Sequence, residues 1–332
     1  MRLVFLGSGA FGLPTLEALA RDHDVAMVVT QPDRKAGRGG KLTPTPVGAW
    51  AAEHLSGVPL LKPERVNEPG VVAEVCSIDA DAWVVIAFGQ KLGKPLLEGR
   101  FAINLHASVL PRWRGAAPIN AAILAGDTAT GNSVITLADR MDAGLILGQS
   151  ERAIGPTVTA GELHDLLAGD GPELVEHVLA EHTARTLDPF KQDEAAVTLA
   201  GKLSRADAWI DLADSAEVCR RRINGLSPWP GVQAVLDGQP LKLLRACELT
   251  PGDVGSASET ETPDVRTGSA HDATPGTLLD PATGTFATGD GVLQLLEVQP
   301  AGKRAMSWDA YARGRKPAEG ELLSSAEVSR PC

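Results

Sequence analysis

Aromatic side chains are scarce: six Trp, one Tyr and six Phe make up 4% of the 332 residues. Shape and charge are therefore expected to outweigh base stacking in any contact with nucleic acid. Cysteine is equally thin. Cys76, Cys219, Cys247 and Cys332 are scattered with no CxxC pair, which fits a reduced cytosolic chain better than a disulfide frame or a zinc site. No apolar run approaches the roughly 18 residues that cross a bilayer. The opening residues MRLVFLGSGAFG turn into glycines before an apolar leader can form, so no secretory signal is expected. A basic excess is missing too: 31 basic against 42 acidic residues give a net charge of -11. This argues against a generic nucleic-acid coat but leaves room for local basic patches.

The length suggests two domains, and 43% hydrophobic with 22% charged residues supplies enough apolar side chain for sizeable cores. Short apolar runs alternate with amphipathic stretches through the first half. RLVFL (2–6), VAMVVT (25–30), VPLLKP (a short strand near 58–61), WVVIAF (83–88), FAINLH (101–106) and NSVITL (132–137) read as buried strands. Helical patterns follow the first of them and span about 46–54 and 67–77. The alternation predicts an α/β fold with a doubly wound, mainly parallel sheet. Thr159 with Glu162, and Asp214 with Glu217, form capping-box patterns, the second ahead of a stop at Gly225. Beyond about 207, runs such as VQAVL (232–236), LKLLRA (241–246), GTFAT (284–288) and VLQLLEV (292–298) suit a small antiparallel barrel. The stretch 248–272, with six acids and one base among Ser, Thr, Gly and Pro, reads as a mobile insertion.

GSGAFG (7–12) matches GxGxxG directly after the first strand. A dinucleotide site would also want an acid at the end of the second strand. That strand ends in Thr30-Gln31, and Asp33 follows only after Pro32, among bases. The favoured reading is a tight turn with close helix packing, and nucleotide binding is the alternative.

Chemistry concentrates further on. In FAINLH, alternation puts Phe101, Ile103 and Leu105 on one face and Asn104 and His106 on the other. The pair sits at the carboxyl end of an expected parallel strand, where doubly wound sheets bind ligands. An amide donor beside an imidazole suits oxyanion stabilisation and proton transfer, although such residues also serve simply as turn formers at strand ends. The irregular stretch ASVLPRWRGAAPI (107–119) follows, and DRMDAG (139–144) supplies Asp142 in a turn.

NLHASVLPRWRGAAPI with the MDAG turn resembles the core signature of the folate-dependent formyltransferase family. TQPDRKAGRGGKLTPTPV (30–47), AFGQKLGKPLL (87–97), KLSRADAWIDL (202–212), NGLSPWPG (224–231) and GDGVLQLLEVQPAGKRAM (289–306) extend the similarity over nearly the whole chain apart from 250–272. Ala107 and Val109 depart from the usual residues of the signature, and neither change removes a reactive group. The resemblance implies a Rossmann-like catalytic domain over 1–189 and a linker over 190–206. An OB-like tRNA-binding domain over 207–320 would follow, with an insertion at about 250–272. It implies transfer of a formyl group from 10-formyltetrahydrofolate to the α-amine of methionyl initiator tRNA, without a metal.

Under that resemblance Asn104 is the oxyanion donor, His106 the proton donor, and Asp142 the group that orients His106 and relays the amine proton. Ser108, Val109, Leu110 and Pro111 match the folate-contacting segment, with backbone from Ile86 through Phe88 to Gly89 at the pterin edge. The loop 34–41 carries Arg34, Lys35, Arg38 and Lys41 with no acid and is expected to order on tRNA. Lys202, Lys303 and Arg304 are further expected tRNA contacts. Arg220, Arg221, Arg222, Arg313, Arg315 and Lys316 add charge nearby in sequence. A cytoplasmic monomer is expected. The alternatives are a formyl-folate enzyme acting on a small amine, a nicotinamide oxidoreductase built on GSGAFG, and a non-enzymatic RNA-binding module.

Overall fold

The computed structural model describes residues 1–36, 40–249 and 273–326. Arg38 and the acidic stretch 250–272 lie outside the described residues, as does Cys332.

In chain order the first part contains β1 (Arg2–Gly7), α1 (Leu13–Asp22), β2 (Asp24–Val29), β3 (Arg34–Ala36), β4 (Lys41–Thr43), α2 (Pro46–His54), β5 (Leu60–Leu61), α3 (Pro69–Cys76), β6 (Ala82–Ile86), α4 (Lys94–Leu97), β7 (Ala102–His106), β8 (Arg114–Gly115), α5 (Pro118–Ala125), β9 (Ala129–Thr136), β10 (Ile146–Ala153), α6 (Ala160–Ala184) and β11 (Leu199–Ala200). The main sheet runs β10-β9-β7-β6-β1-β2-β5. Strands β5, β2, β1, β6 and β7 are parallel, and β9 lies antiparallel to β7. Continuous apolar runs form these strands because both faces are covered: Leu3, Val4, Phe5 and Leu6 of β1 and Val84 and Ile86 of β6 have no exposed surface. The strand order reverses between β1 and β6, so their carboxyl ends open a crevice beside β7.

The glycines after β1 serve packing. A Cβ on Gly7 would lie 2.9 Å from the Ile86 carbonyl oxygen, and one on Gly12 3.3 Å from the Ile86 side chain. Thr159 and Glu162 exchange the two bonds of a capping box ahead of α6. At the two ends of the loop expected to be flexible over 34–41, the described residues form strands β3 and β4, which pair antiparallel with Arg34 opposite Thr43 and Lys35 opposite Leu42.

The later part contains α7 (Ala216–Gly225), β12 (Val232–Leu236), β13 (Gln239–Leu249), β14 (Leu278–Asp280), β15 (Thr285–Ala287), β16 (Val292–Pro300), β17 (Met306–Ser307), α8 (Trp308–Arg315) and β18 (Leu323–Ser325). The cap of α7 is Ser215, one residue later than the expected Asp214; its hydroxyl accepts from the Val218 N–H. The antiparallel strands run β14-β15-β16-β13-β12-β18. The two edge segments then meet: Leu278 N–H donates to Glu321 O at 2.8 Å, Leu323 N–H donates to Gly276 O at 2.8 Å, and Thr277 bridges Leu322. Closure removes the unpaired edges that an open sheet would leave. Inside it pack Cys219, Ile223, Val232, Leu243, Phe286 and Trp308.

By compactness the chain forms two units. One comprises Met1–Pro118, Ala129–Arg152 and His164–Ala200, and the other Ile119–Thr128, Ala153–Leu163 and Gly201–Cys332. Among the described residues no helix is long and apolar enough to cross a membrane.

Candidate active site

Strand β7 delivers Asn104 and His106 to one face, while Ile103 and Leu105 are buried on the other. The Asn104 amide is half-buried and makes no side-chain hydrogen bond within the described residues, so both its donor and its acceptor are available. His106 is 7% exposed and its Nε2 lies 2.9 Å from the main-chain oxygen of Trp113. A carbonyl only accepts, so Nε2 carries the hydrogen. Nδ1 is then the free ring position, a lone pair in the neutral ring and an N–H in the protonated one. It lies 3.8 Å from Asp142 Oδ2. That is ion-pair range but too long for the direct hydrogen bond expected of an orienting carboxylate. Asp142 Oδ2 instead accepts from the Gly115 N–H at 2.9 Å.

The backbone around these groups is unusual. Ala87 after β6 (φ 47°), Trp113 (φ 62°) and Asp142 (φ 52°) are all left-handed. Asp tolerates that region, but for Trp and Ala it costs about 1–2 kcal/mol. Gly115 at φ 128° approaches β11 so closely that a Cβ would sit 2.3 Å from the Ala200 carbonyl oxygen. The parallel pairing of β8 with β11 explains this approach, and Thr198 ties down the neighbouring Trp113: its hydroxyl accepts from the Trp113 N–H at 2.9 Å.

Of the expected folate-contacting segment, Ser108 and Leu110 are buried. The Ser108 hydroxyl donates to Arg112 O at 2.6 Å, and Leu110 is held by Ser133 and Gln149. These two residues shape the loop from within, leaving Val109 and Pro111 partly exposed. At the end of β6 the Ile86 and Phe88 side chains are buried as well. The Phe88 carbonyl already accepts from Ser8 and Gln31, and the Ala87 carbonyl from the Gly9 N–H at 3.4 Å, while Ala87 and Gly89 are the exposed residues of this turn. The supporting residues Gln192 and Thr198 did not stand out in the sequence. A glutamine and a threonine in a polar connection carry no local pattern.

The charged candidates divide in two. Arg34, Lys35, Lys41, Lys202, Lys303 and Arg304 are exposed, with Arg34 also paired to Glu64 at 2.7 Å. The arginines at 220–222, whose spread around a helix keeps them from all facing one partner, make bonds within the protein. Arg220 donates to Pro156 O, Arg221 pairs with Glu217, and Arg222 donates to Trp209 O and Asp207 O while lying 3.6 Å over the Trp209 ring. Arg313 pairs with Asp309, and Arg315 with Glu321 and Asp237. No cluster of three or more His, Cys, Asp or Glu suited to a metal occurs among the described residues.

Comparison with known proteins agrees with this layout. The formyl transferase family model matches residues 1–179, and the formyl transferase C-terminal domain model matches 202–316. The chain is 40% identical over 311 residues to methionyl-tRNA formyltransferase of Methylococcus capsulatus, covering 92% of this chain and 94% of that one. It is 39% identical over 328 residues to the enzyme of the same name from Cereibacter sphaeroides, covering 98% of this chain and all (100%) of that one. Among solved structures, an N-formyltransferase from Helicobacter canadensis bound to folinic acid and dTDP-3-aminofucose superposes with a TM-score of 0.60. At 14% identity, over 90% of this chain and 98% of that one, it shares the fold.

Proposed function

The chain belongs to the formyl transferase family, and on that premise we propose that it transfers a formyl group from 10-formyltetrahydrofolate to the α-amine of methionyl initiator tRNA. What carries this reading is the convergence of an unpartnered amide, an imidazole and a carboxylate at the carboxyl end of β7. Relatives about 40% identical over nearly their whole length bear the name of that activity.

A free α-amine has a pKa near 8, and an adjacent ester lowers it, so the neutral nucleophile is available near pH 7. Its nitrogen attacks the formyl carbon, and the carbonyl oxygen gains negative charge in a tetrahedral adduct. The Asn104 N–H donates to that oxygen. As the adduct collapses, the bond from the formyl carbon to the folate nitrogen breaks. The amine proton passes toward Asp142, and the departing nitrogen receives one from Nδ1 of the protonated His106 ring, the position not bound to Trp113; Asp142 then returns a proton to that ring. Val109, Pro111 and the exposed residues Ala87 and Gly89 fit the walls of a site for a flat heterocycle. Arg34, Lys35, Lys41, Lys202, Lys303 and Arg304 fit phosphate contacts. Arg38 belongs with them by charge and lies outside the described residues. We place the enzyme in the cytoplasm as a monomer, a state that sedimentation checks.

The deciding assay offers labelled 10-formyltetrahydrofolate with charged initiator tRNA or with small amines, including amino sugars. Label on the methionyl tRNA supports the reading. Label on a small amine alone overturns it in favour of the small-amine alternative.

A further inference from the structure

Asp142 is held from two directions by successive residues of β8. From one side the Gly115 N–H donates to its carboxylate. From the other, Arg114 works through a glutamine. The Arg114 guanidinium, 3% exposed, donates from Nε to Gln192 Oε1 at 2.8 Å and from its other arm to Glu194 at 2.9 Å. Gln192 then uses both N–H bonds of its amide, one on Asp142 O at 2.7 Å and one on Gly144 O at 2.8 Å. Those two carbonyls flank the single residue Ala143, so one side chain clamps the whole turn. Clamping has a purpose there. Asp142 is left-handed, and Gly144 is so close to β9 that no Cβ fits beside the Thr136 carbonyl. The turn is thus fixed at a conformation that the chain would not hold unaided.

We infer that Gln192 is a positioning residue for the formyl transfer: its amide sets the distance between the Asp142 carboxylate and His106 Nδ1. The inference rests on the proposed role of Asp142. Gln192 touches neither reacting group, since its bonds go to main-chain oxygens and to Arg114. A misplacement of about 1 Å in a reacting group can cost on the order of 10²-fold in rate.

The test is a double-mutant cycle between Gln192→Glu and Asp142→Asn, measured as formylation of methionyl initiator tRNA by 10-formyltetrahydrofolate. Glu keeps the length and the acceptor for Arg114 but has no N–H for the two carbonyls. Asn tolerates the left-handed backbone and keeps an acceptor for Gly115. The expected result is a loss in kcat of roughly 10–100-fold for Gln192→Glu, with KM for both substrates within about two-fold. In the Asp142→Asn background the same change should cost little more. An equal loss in both backgrounds, a loss carried by KM, or an unchanged kcat would overturn the inference. Gln192→Met serves the same cycle if Gln192→Glu does not fold. Wild-type turnover by Asp142→Asn alone is a different outcome, and it defeats the proposed role of the carboxylate itself.

Discussion

The Nε2 of His106 donates to the main-chain oxygen of Trp113 across 2.9 Å, joining the end of β7 to the left-handed residue of the loop that follows it. This bond fixes the ring's orientation and tautomer, and it leaves Nδ1 as the position that exchanges protons. A glutamine at 106 has an N–H that can replace the structural bond but has no proton to transfer near neutral pH. His106→Gln should therefore fold with a melting temperature close to wild type. It should lose about 10²–10⁴-fold in kcat, the usual range for a positioned acid or base. Melting curves and single-turnover rates on the same preparation check both halves.

Binding of tRNA should weaken steeply with salt. Each phosphate contact removed should lower the slope of log K against log salt by about one. Lys35→Ala, Lys303→Ala and Arg304→Ala are expected to flatten that slope, as read by filter binding between roughly 50 and 200 mM salt. Arg315→Ala should leave the slope unchanged and lower stability instead, because its guanidinium is paired with Glu321 and Asp237.

Arg222 should behave as a residue of the fold. It donates to two main-chain oxygens and covers the Trp209 ring. Arg222→Ala removes charge-assisted hydrogen bonds worth about 1.5–3 kcal/mol apiece, together with a cation–π contact. Urea denaturation should show a loss of at least about 1.5 kcal/mol, with initiator tRNA affinity per folded molecule unchanged.

The cap of α6 should be pH-sensitive. Burial alone would raise the Glu162 carboxyl, but bonds from the Thr159 main chain, Arg245 and the Thr159 hydroxyl outweigh it and hold it below the ordinary value of 4.5. A carboxyl depressed in the folded state stabilises it fully above its unfolded value. That stability is lost as pH falls through the lower folded value. The melting-temperature gap between wild type and Glu162→Gln should hold steady from neutrality down to about pH 5 and then close in more acid buffer. A gap that widens on acidification would reverse the sign of this linkage.

Much of this architecture was legible in the sequence wherever burial imposes a pattern. The strands β1, β2, β6 and β7 announce themselves as apolar runs, and strand alternation alone put Asn104 beside His106. Strand β10 escaped because its later residues are mostly half-buried and polar, as in GQSER. The two-residue strands β8 and β11 have no period at all; their pairing is set by a glycine that admits a carbonyl oxygen. Arg114 and Gln192 look like surface residues in one dimension and are bonded to each other in three. At 214–215 two residues compete for one cap, and Ser215 wins by placing its hydroxyl on the Val218 N–H. The Ser108 hydroxyl turned inward because the main-chain oxygen of Arg112 lies within reach in the curled loop.

The most direct test is the Asn104→Ala variant, assayed for single-turnover formylation and, separately, for equilibrium binding of the folate donor. Loss of one oxyanion donor should reduce the rate by about 10²–10³-fold, or roughly 3–4 kcal/mol, with donor affinity nearly unchanged. Turnover at the wild-type rate would contradict the account, because the Asn104 amide would then not be stabilising the charge that develops on the formyl oxygen.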